Sequence, residues 1–224
     1  MMLTGVILAG GTKRTIRGTT ADLLPLASET LLERQIGEMG KLCGEIIIVT
    51  EEPRLYLEHV PRSVRIITDF FPNRGPLGGL HAALALSKYA YLWVTGSAMP
   101  FISAELARLL WEHVLLFQEE AALPEVGGTA FPLHGIYRQS CLHKVGDMIE
   151  SSSSEPRWEA LLERIACHAV PLDGLKGETA WRDDLAFSLR ISSEAEYEKA
   201  LQLCPSIQPP AHNYWQRGRE LWLE

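Results

Sequence analysis

The residues best equipped for chemistry stand where short apolar runs stop. Val6-Ile7-Leu8-Ala9 runs into Gly10-Gly11 and then into Thr12-Lys13-Arg14-Thr15-Ile16-Arg17-Gly18. A glycine pair at the end of a buried strand lets the backbone turn with positive φ and come close to a ligand. Amide groups exposed in such a turn cradle phosphate oxygens, and Lys13, Arg14 and Arg17 add positive charge. Three further segments share this placement. Thr68-Asp69 and Arg74-Gly75-Pro76-Leu77-Gly78-Gly79 follow Ile66-Ile67. Thr95-Gly96-Ser97-Ala98-Met99-Pro100-Phe101 follows Leu92-Trp93-Val94, and Phe131-Pro132-Leu133-His134-Gly135 precedes Ile136-Tyr137-Arg138. His134 is the one histidine beside these segments, and a buried, hydrogen-bonded structural role is expected for it.

The elements that must position these residues alternate in type. Apolar runs at 6–9, 45–50, 65–68 and 91–95 predict buried strands. Amphipathic spacing predicts helices at 31–42, 78–87 and 104–119, the last capped by Ser103. This βαβ rhythm predicts an α/β fold with a mostly parallel sheet and helices on both faces, with ligands bound beyond the carboxyl ends of the strands. The second half is less regular, with strands expected at 131–138, 166–172 and 187–191 and a helix at 194–203. The serine-rich stretch 151–156 reads as a loop within one domain spanning 1–204. The tail 205–224 carries Trp215 and Trp222, so it is expected to dock on the domain or on a second copy, as in a homodimer. The loop 12–21, with Ile16 its only apolar anchor, is expected to be mobile until it binds an anion.

Composition excludes several classes. A formal net charge of −7 argues against nucleic acid or an anionic membrane as partner. No apolar run approaches the ~20 residues needed to span a bilayer, and Met1-Met2-Leu3-Thr4 lacks the charged start of a signal peptide. Cys43, Cys141, Cys167 and Cys204 form no C-x-x-C pair, which fits reduced thiols in a cytoplasmic protein and no zinc site. The first turn lacks G-x-G-x-x-G, and no acidic residue follows about 20 residues on, so a Rossmann dehydrogenase is excluded.

In order and spacing, several motifs together resemble the nucleoside-triphosphate-transferase family whose best-known branch is the molybdenum cofactor guanylyltransferases. They are Leu8-Ala9-Gly10-Gly11, Leu24-Pro25-Leu26 with Leu31-Leu32-Glu33, Ile48-Val49-Thr50, Asp69 with Gly75-Pro76-Leu77-Gly78-Gly79, Met99-Pro100-Phe101 and Pro132-Leu133-His134-Gly135-Ile136-Tyr137. The resemblance covers roughly residues 3–203. It implies a three-layer α/β/α, Rossmann-like nucleotidyltransferase fold and transfer of GMP from GTP to molybdopterin. By the same resemblance Leu8, Ala9, Gly10, Gly11 and Lys13 hold the nucleotide, Arg14 and Arg17 act on its phosphates, and Asp69 helps read guanine. Gly75, Pro76, Leu77 and Gly78 pack beside the nucleotide.

The chain departs from the family where charge is needed. The family's phosphate-binding Lys place holds Thr20 or Ala21, and its Mg²⁺-binding Asp place holds Ala98. The C-terminal N-x-N segment reads Arg190-Ile191-Ser192. Alanine offers no oxygen to a hard cation. Lys13, Arg14 and Arg17 are the basic residues available to replace the lost charge. Asp22, Asp183 and Asp184 are candidate carboxylates, and spacing selects none of them. Two readings follow: an active guanylyltransferase, or a catalytically lapsed relative that binds nucleotide or serves assembly.

Overall fold

In a computed structural model of the chain, residues 2–11, 15–173 and 183–204 are described. The first strand, β1 (Leu3–Leu8), is buried along its whole length. Two small hairpins follow it. The first pairs β2 (Thr15–Ile16) with β3 (Thr19–Thr20), and the second pairs β4 (Pro25–Leu26) with β5 (Glu29–Thr30). Then come α1 (Leu31–Met39), β6 (Cys43–Val49), β7 (Val64–Ile67), α2 (Gly75–Leu86), β8 (Tyr91–Gly96) and α3 (Ala104–Phe117). The remainder is β9 (Ala121–Val126), β10 (Thr129–Ala130), β11 (Gly135–Arg138), α4 (Leu142–Ser151), α5 (Trp158–Leu162), β12 (Cys167–Pro171) and α6 (Glu194–Leu203).

The large sheet has the order β10-β9-β11-β8-β1-β6-β7, with β12 paired to β9. Strands β8, β1, β6 and β7 run parallel, while β11 runs antiparallel to β8 and β9. Register places Leu8 beside both Val49 and Gly96, and Val49 beside Ile67. Four carboxyl ends therefore lie in one row. Alternation along the strands sorts side chains into two layers. Ile7, Ile48 and Trp93 pack with Leu32, Ile36 and Met39 of α1 and Leu106 and Leu110 of α3. Val6, Leu8, Ile47, Val49 and Val94 pack with Leu80 and Leu84 of α2 and Val145 and Ile149 of α4. This is the expected three-layer α/β/α arrangement. A third, smaller core joins Ile16, Leu24, Leu26 and Leu31 to Phe101, Ile191, Tyr197 and Ala200, so both hairpins and α6 form one satellite.

Local chemistry explains the helix starts. Thr30 and Glu33 form a reciprocal capping box on α1, with Glu33 N–H donating to Thr30 Oγ1 (3.2 Å) and Thr30 N–H to Glu33 Oε2 (2.8 Å). Ser103 Oγ accepts from Leu106 N–H (3.2 Å), as the sequence predicts for α3. Helix α2 begins at Gly75 instead of residue 78, because Pro76 suits a first turn.

Other expectations need correction. Residues 187–191 are not a strand: Asp183–Ser188 forms a 3-10 turn, Phe187 enters one core, and Ile191 enters another. The run 131–138 does contain the expected strand, at Gly135–Arg138, which starts late because Pro132 lacks an amide donor and His134 adopts φ +80°. Strand β9 went unread because Pro124 interrupts its apolar run, and α4 and α5 were also missed. In the described part of the 12–21 loop, β2 and β3 pair as a hairpin, with Arg17 and Gly18 at positive φ in its tight turn and Ile16 buried in the satellite core. The tail 205–224 lies outside the described residues.

Candidate functional site

A cleft of about 210 Å³ opens over the carboxyl ends of β1 and β8. Its floor is Ala9 and Gly10 after β1 and Ser97 and Ala98 after β8. One wall is Thr20, Ala21 and Asp22, and the other is Arg190, Ile191 and Ser192. The floor is held by backbone bonds. Ala9 N–H donates to Val49 O (2.8 Å), Ser97 N–H to Leu8 O (3.0 Å) and Ile191 N–H to Ala98 O (2.8 Å). The buried Gln35 braces the same turn from α1, its Nε2 donating to Gly96 O and Met99 O at 2.8 Å each. Leu8 and Ala9 thus spend these backbone groups on the sheet, whereas among the described residues the Gly10 and Gly11 amides have no acceptor. A Cβ at Gly10 or Gly11 would meet no atom of the described residues within 4 Å, and Gly11 has φ +84°. Space over both glycines is open to a ligand.

Asp22, one of the three candidate carboxylates, is the charged residue buried in this wall, at 3% exposure. Tyr56 donates its hydroxyl to Asp22 Oδ2. Asp22 Oδ1 and the neighbouring Thr20 Oγ1 are buried without hydrogen-bond partners among the described residues. Asp183 and Asp184 offer no described side chain, and Lys13 and Arg14 lie outside the described residues. Arg17 is described and turns away from the cleft. Its Nη2 lies 2.5 Å from Glu194 Oε1, and its guanidinium sits 5.0 Å above the Tyr197 ring. The bond to Glu194 raises its pKa further.

The other predicted residues lie apart from the cleft lining. Leu77 and Gly78 are buried, and Leu77 belongs to the α2 core. Gly75 has φ +60°, and a Cβ there would collide with the Glu155 carboxylate. That carboxylate stands at the start of α2, where the helix dipole favours negative charge. Arg74 Nη1 donates to Ser152 O (2.8 Å) and Ser154 O (3.1 Å), so the serine-rich loop covers this helix end. Asp69 Oδ2 lies 3.0 Å from where a Gly78 Cβ would stand, and Oδ1 is buried without a partner. Burial raises the Asp69 carboxyl above its ordinary pKa, opposed by the Phe71 amide and His81. Gly79 touches the sheet end, since a Cβ there would lie 3.1 Å from Leu8 Cδ2. Asp69 and α2 therefore adjoin the carboxyl ends from the other layer.

His134 is structural, as expected. Fully buried between Trp93 and Phe187, it accepts Ser103 N–H at Nε2 (2.8 Å) and donates its own amide to Val94 O (2.7 Å). Burial lowers its pKa to about 4. Sequence reasoning missed Gln35 and did not assign Arg190 to a site. The signal for Gln35 was a polar residue on the α1 face that carries Leu32, Ile36 and Met39.

This parallel sheet between helical layers, with a glycine turn and a cleft over its strand ends, defines a doubly wound α/β protein of the Rossmann-like type. The model of the MobA-like NTP transferase domain matches residues 5–166, and the chain belongs to that family. It is 33% identical over 153 residues to a probable molybdenum cofactor guanylyltransferase of Pelotomaculum thermopropionicum, covering 67% of this chain and 71% of that one. It is 30% identical over 201 residues to a similarly named protein of Carboxydothermus hydrogenoformans, covering 90% and 96%. Its fold matches molybdopterin-guanine dinucleotide biosynthesis protein A of Archaeoglobus fulgidus with TM-score 0.75 at 20% identity, over 91% of this chain and all of that one. No described helix is long and apolar enough to cross a membrane.

Proposed function

We propose that this chain is a guanylyltransferase that moves GMP from GTP to molybdopterin, the reaction its curated relatives' names point to. The observation that carries this reading is the open space over Gly10 and Gly11, whose amides have no acceptor among the described residues, with Gly10 on the floor of the cleft. In the reaction an acceptor phosphate oxygen attacks the α-phosphorus of GTP, and the bond to the β-phosphate oxygen breaks as pyrophosphate leaves. Negative charge gathers on the leaving oxygens, so amide donors aimed there lower the barrier. Gly10 and Gly11 supply those donors, and the floor bonds of Ala9, Ser97 and Gln35 hold them still. Arg14 and Lys13 belong to the same loop and would meet the phosphates. Asp69, with Gly75, Pro76, Leu77 and Gly78, would border the base from the α2 layer.

The family's Mg²⁺ needs oxygen donors, and Ala98 supplies none from its side chain. Among the described residues, no group of three His, Cys, Asp or Glu is placed to share an ion. Mg²⁺ nevertheless binds through one or two carboxylates together with substrate phosphates. Asp22 Oδ1 and Thr20 Oγ1, buried without partners in the cleft wall, fit that requirement. Bound there, Mg²⁺ would neutralise charge on the phosphate oxygens. Tyr56, by holding Oδ2, leaves Oδ1 as the carboxylate's open atom.

Calorimetric titration of GTP, ATP and CTP, followed by chromatography of product formed from GTP and molybdopterin, tests the reading. Tighter binding of GTP and formation of the guanine dinucleotide are expected. Equal or absent nucleotide binding refutes it. The second reading, a lapsed relative, is favoured by methyl groups at both Ala21 and Ala98 on the cleft surface. It predicts GTP binding without product.

A further inference from the structure

Arg190 is the one cation among the described residues that line the cleft. Thr20 and Ala21 line one wall without positive charge. Arg17 is committed to Glu194 and Tyr197. Arg190 lines the opposite wall, is exposed, and has no hydrogen-bond or ion-pair partner among the described residues. Its backbone is held on the C-terminal side. Ile191 is buried and donates its amide to Ala98 O (2.8 Å), while Ser192 donates its amide and hydroxyl to Glu196 Oε2 at 2.7 Å each. The guanidinium therefore swings from a fixed root at the edge of the space over Gly10. An unpaired guanidinium on the wall of a cleft that Gly10 floors favours a phosphate, which it can grip through two parallel N–H bonds.

We propose that Arg190 is a phosphate anchor of this cleft and supplies, from its own wall, the positive charge that Thr20 and Ala21 do not. The anchor deepens the guanylyltransferase reading and rests on it. Its phosphate belongs either to the nucleotide tail or to the phosphorylated acceptor, and the two sources are separable. The experiment compares wild type, Arg190→Ala and Arg190→Lys by calorimetry with GTP and guanosine. Phosphorus NMR then follows inorganic phosphate bound to GTP-saturated protein. Thermal melts establish that the exposed substitutions leave the fold intact.

If the anchor holds the nucleotide tail, Arg190→Ala weakens GTP about tenfold or more, leaves guanosine within twofold, and Arg190→Lys recovers part of the loss. If it holds the acceptor, GTP affinity is unchanged but inorganic phosphate binding to the GTP-loaded protein is lost. GTP and phosphate binding both unaffected in Arg190→Ala overturns the anchor and leaves the guanylyltransferase reading standing. A wild type that binds no GTP overturns that reading first, and the anchor with it.

Discussion

Acidification should weaken this fold through His134 by an amount the structure sets. The ring is fully buried, accepts Ser103 N–H at Nε2, and leaves Nδ1 without a partner. Charging it would bury a cation and abolish the acceptor. Burial accordingly lowers its pKa from 6.5 to about 4. Below pH 6.5 the unfolded chain takes up a proton that the folded chain refuses until pH is near 4. Stability is therefore fully present above 6.5 and falls as pH drops through that window. Between pH 7 and pH 5 this one group costs about 2 kcal/mol, from the proton affinity difference at 1.36 kcal/mol per pKa unit. Denaturant unfolding of wild type and His134→Gln at both pH values isolates it. The amide oxygen of Gln still accepts Ser103 N–H, and every other titrating group is common to the pair. Wild type should lose about 2 kcal/mol more than His134→Gln on acidification. Equal losses would show that the ring is already charged or solvated in the folded state, and the reasoning would fail.

Gly10→Ala should leave stability within about 0.5 kcal/mol, since its Cβ meets only open space, yet weaken GTP at least tenfold by occupying that space; unchanged affinity in calorimetry would remove Gly10 from the site. Gly11→Ala should instead lower stability by about 1–2 kcal/mol in denaturant unfolding, because φ +84° disfavours any Cβ. Asp22→Asn should abolish any Mg²⁺ enhancement of GTP affinity and Mn²⁺ binding followed by electron paramagnetic resonance, whereas Ala98→Asp should strengthen both; an Mg²⁺ response that survives Asp22→Asn sinks the assignment of Asp22. Gly75→Ala should lower the melting temperature by several degrees. Adding Glu155→Ala should recover the collision but not the part owed to φ +60°.

The sheet was legible because both faces of β1, β6 and β8 are buried, which writes apolar runs into the sequence. The floor of the cleft was legible for a related reason. Strand-end glycines such as Gly10 and Gly96 keep backbone and ligand close, and they stand out against Ile and Val. The walls were not legible. Asp22 reads like any solvated carboxylate until Tyr56, 34 positions along the chain, donates to it. Arg190 reads as part of a strand, since Phe187 and Ile191 have the spacing of a buried run although they enter different cores. Pro124 hid β9, whose burial comes from β11 and β12. Long-range pairing decided each of these.

The satellite core ties the two ends of the described chain together. Tyr197 donates its hydroxyl to Pro25 O (2.6 Å), Arg17 pairs with Glu194, and Ile16, Leu24 and Leu26 share their apolar contacts with Tyr197 and Ala200. Synthesis runs from the glycine turn towards α6, so the growing chain exposes its first loop long before the wall bearing Arg190 exists. Until then Ile16, Leu24, Leu26 and Phe101 have no cover, and the half-built cleft can neither close on a nucleotide nor hide its own apolar lining. Helix α6 is thus the clasp. A chain cut short of Glu194 would emerge from the ribosome with its sheet formed and its binding site still open to the wrong company.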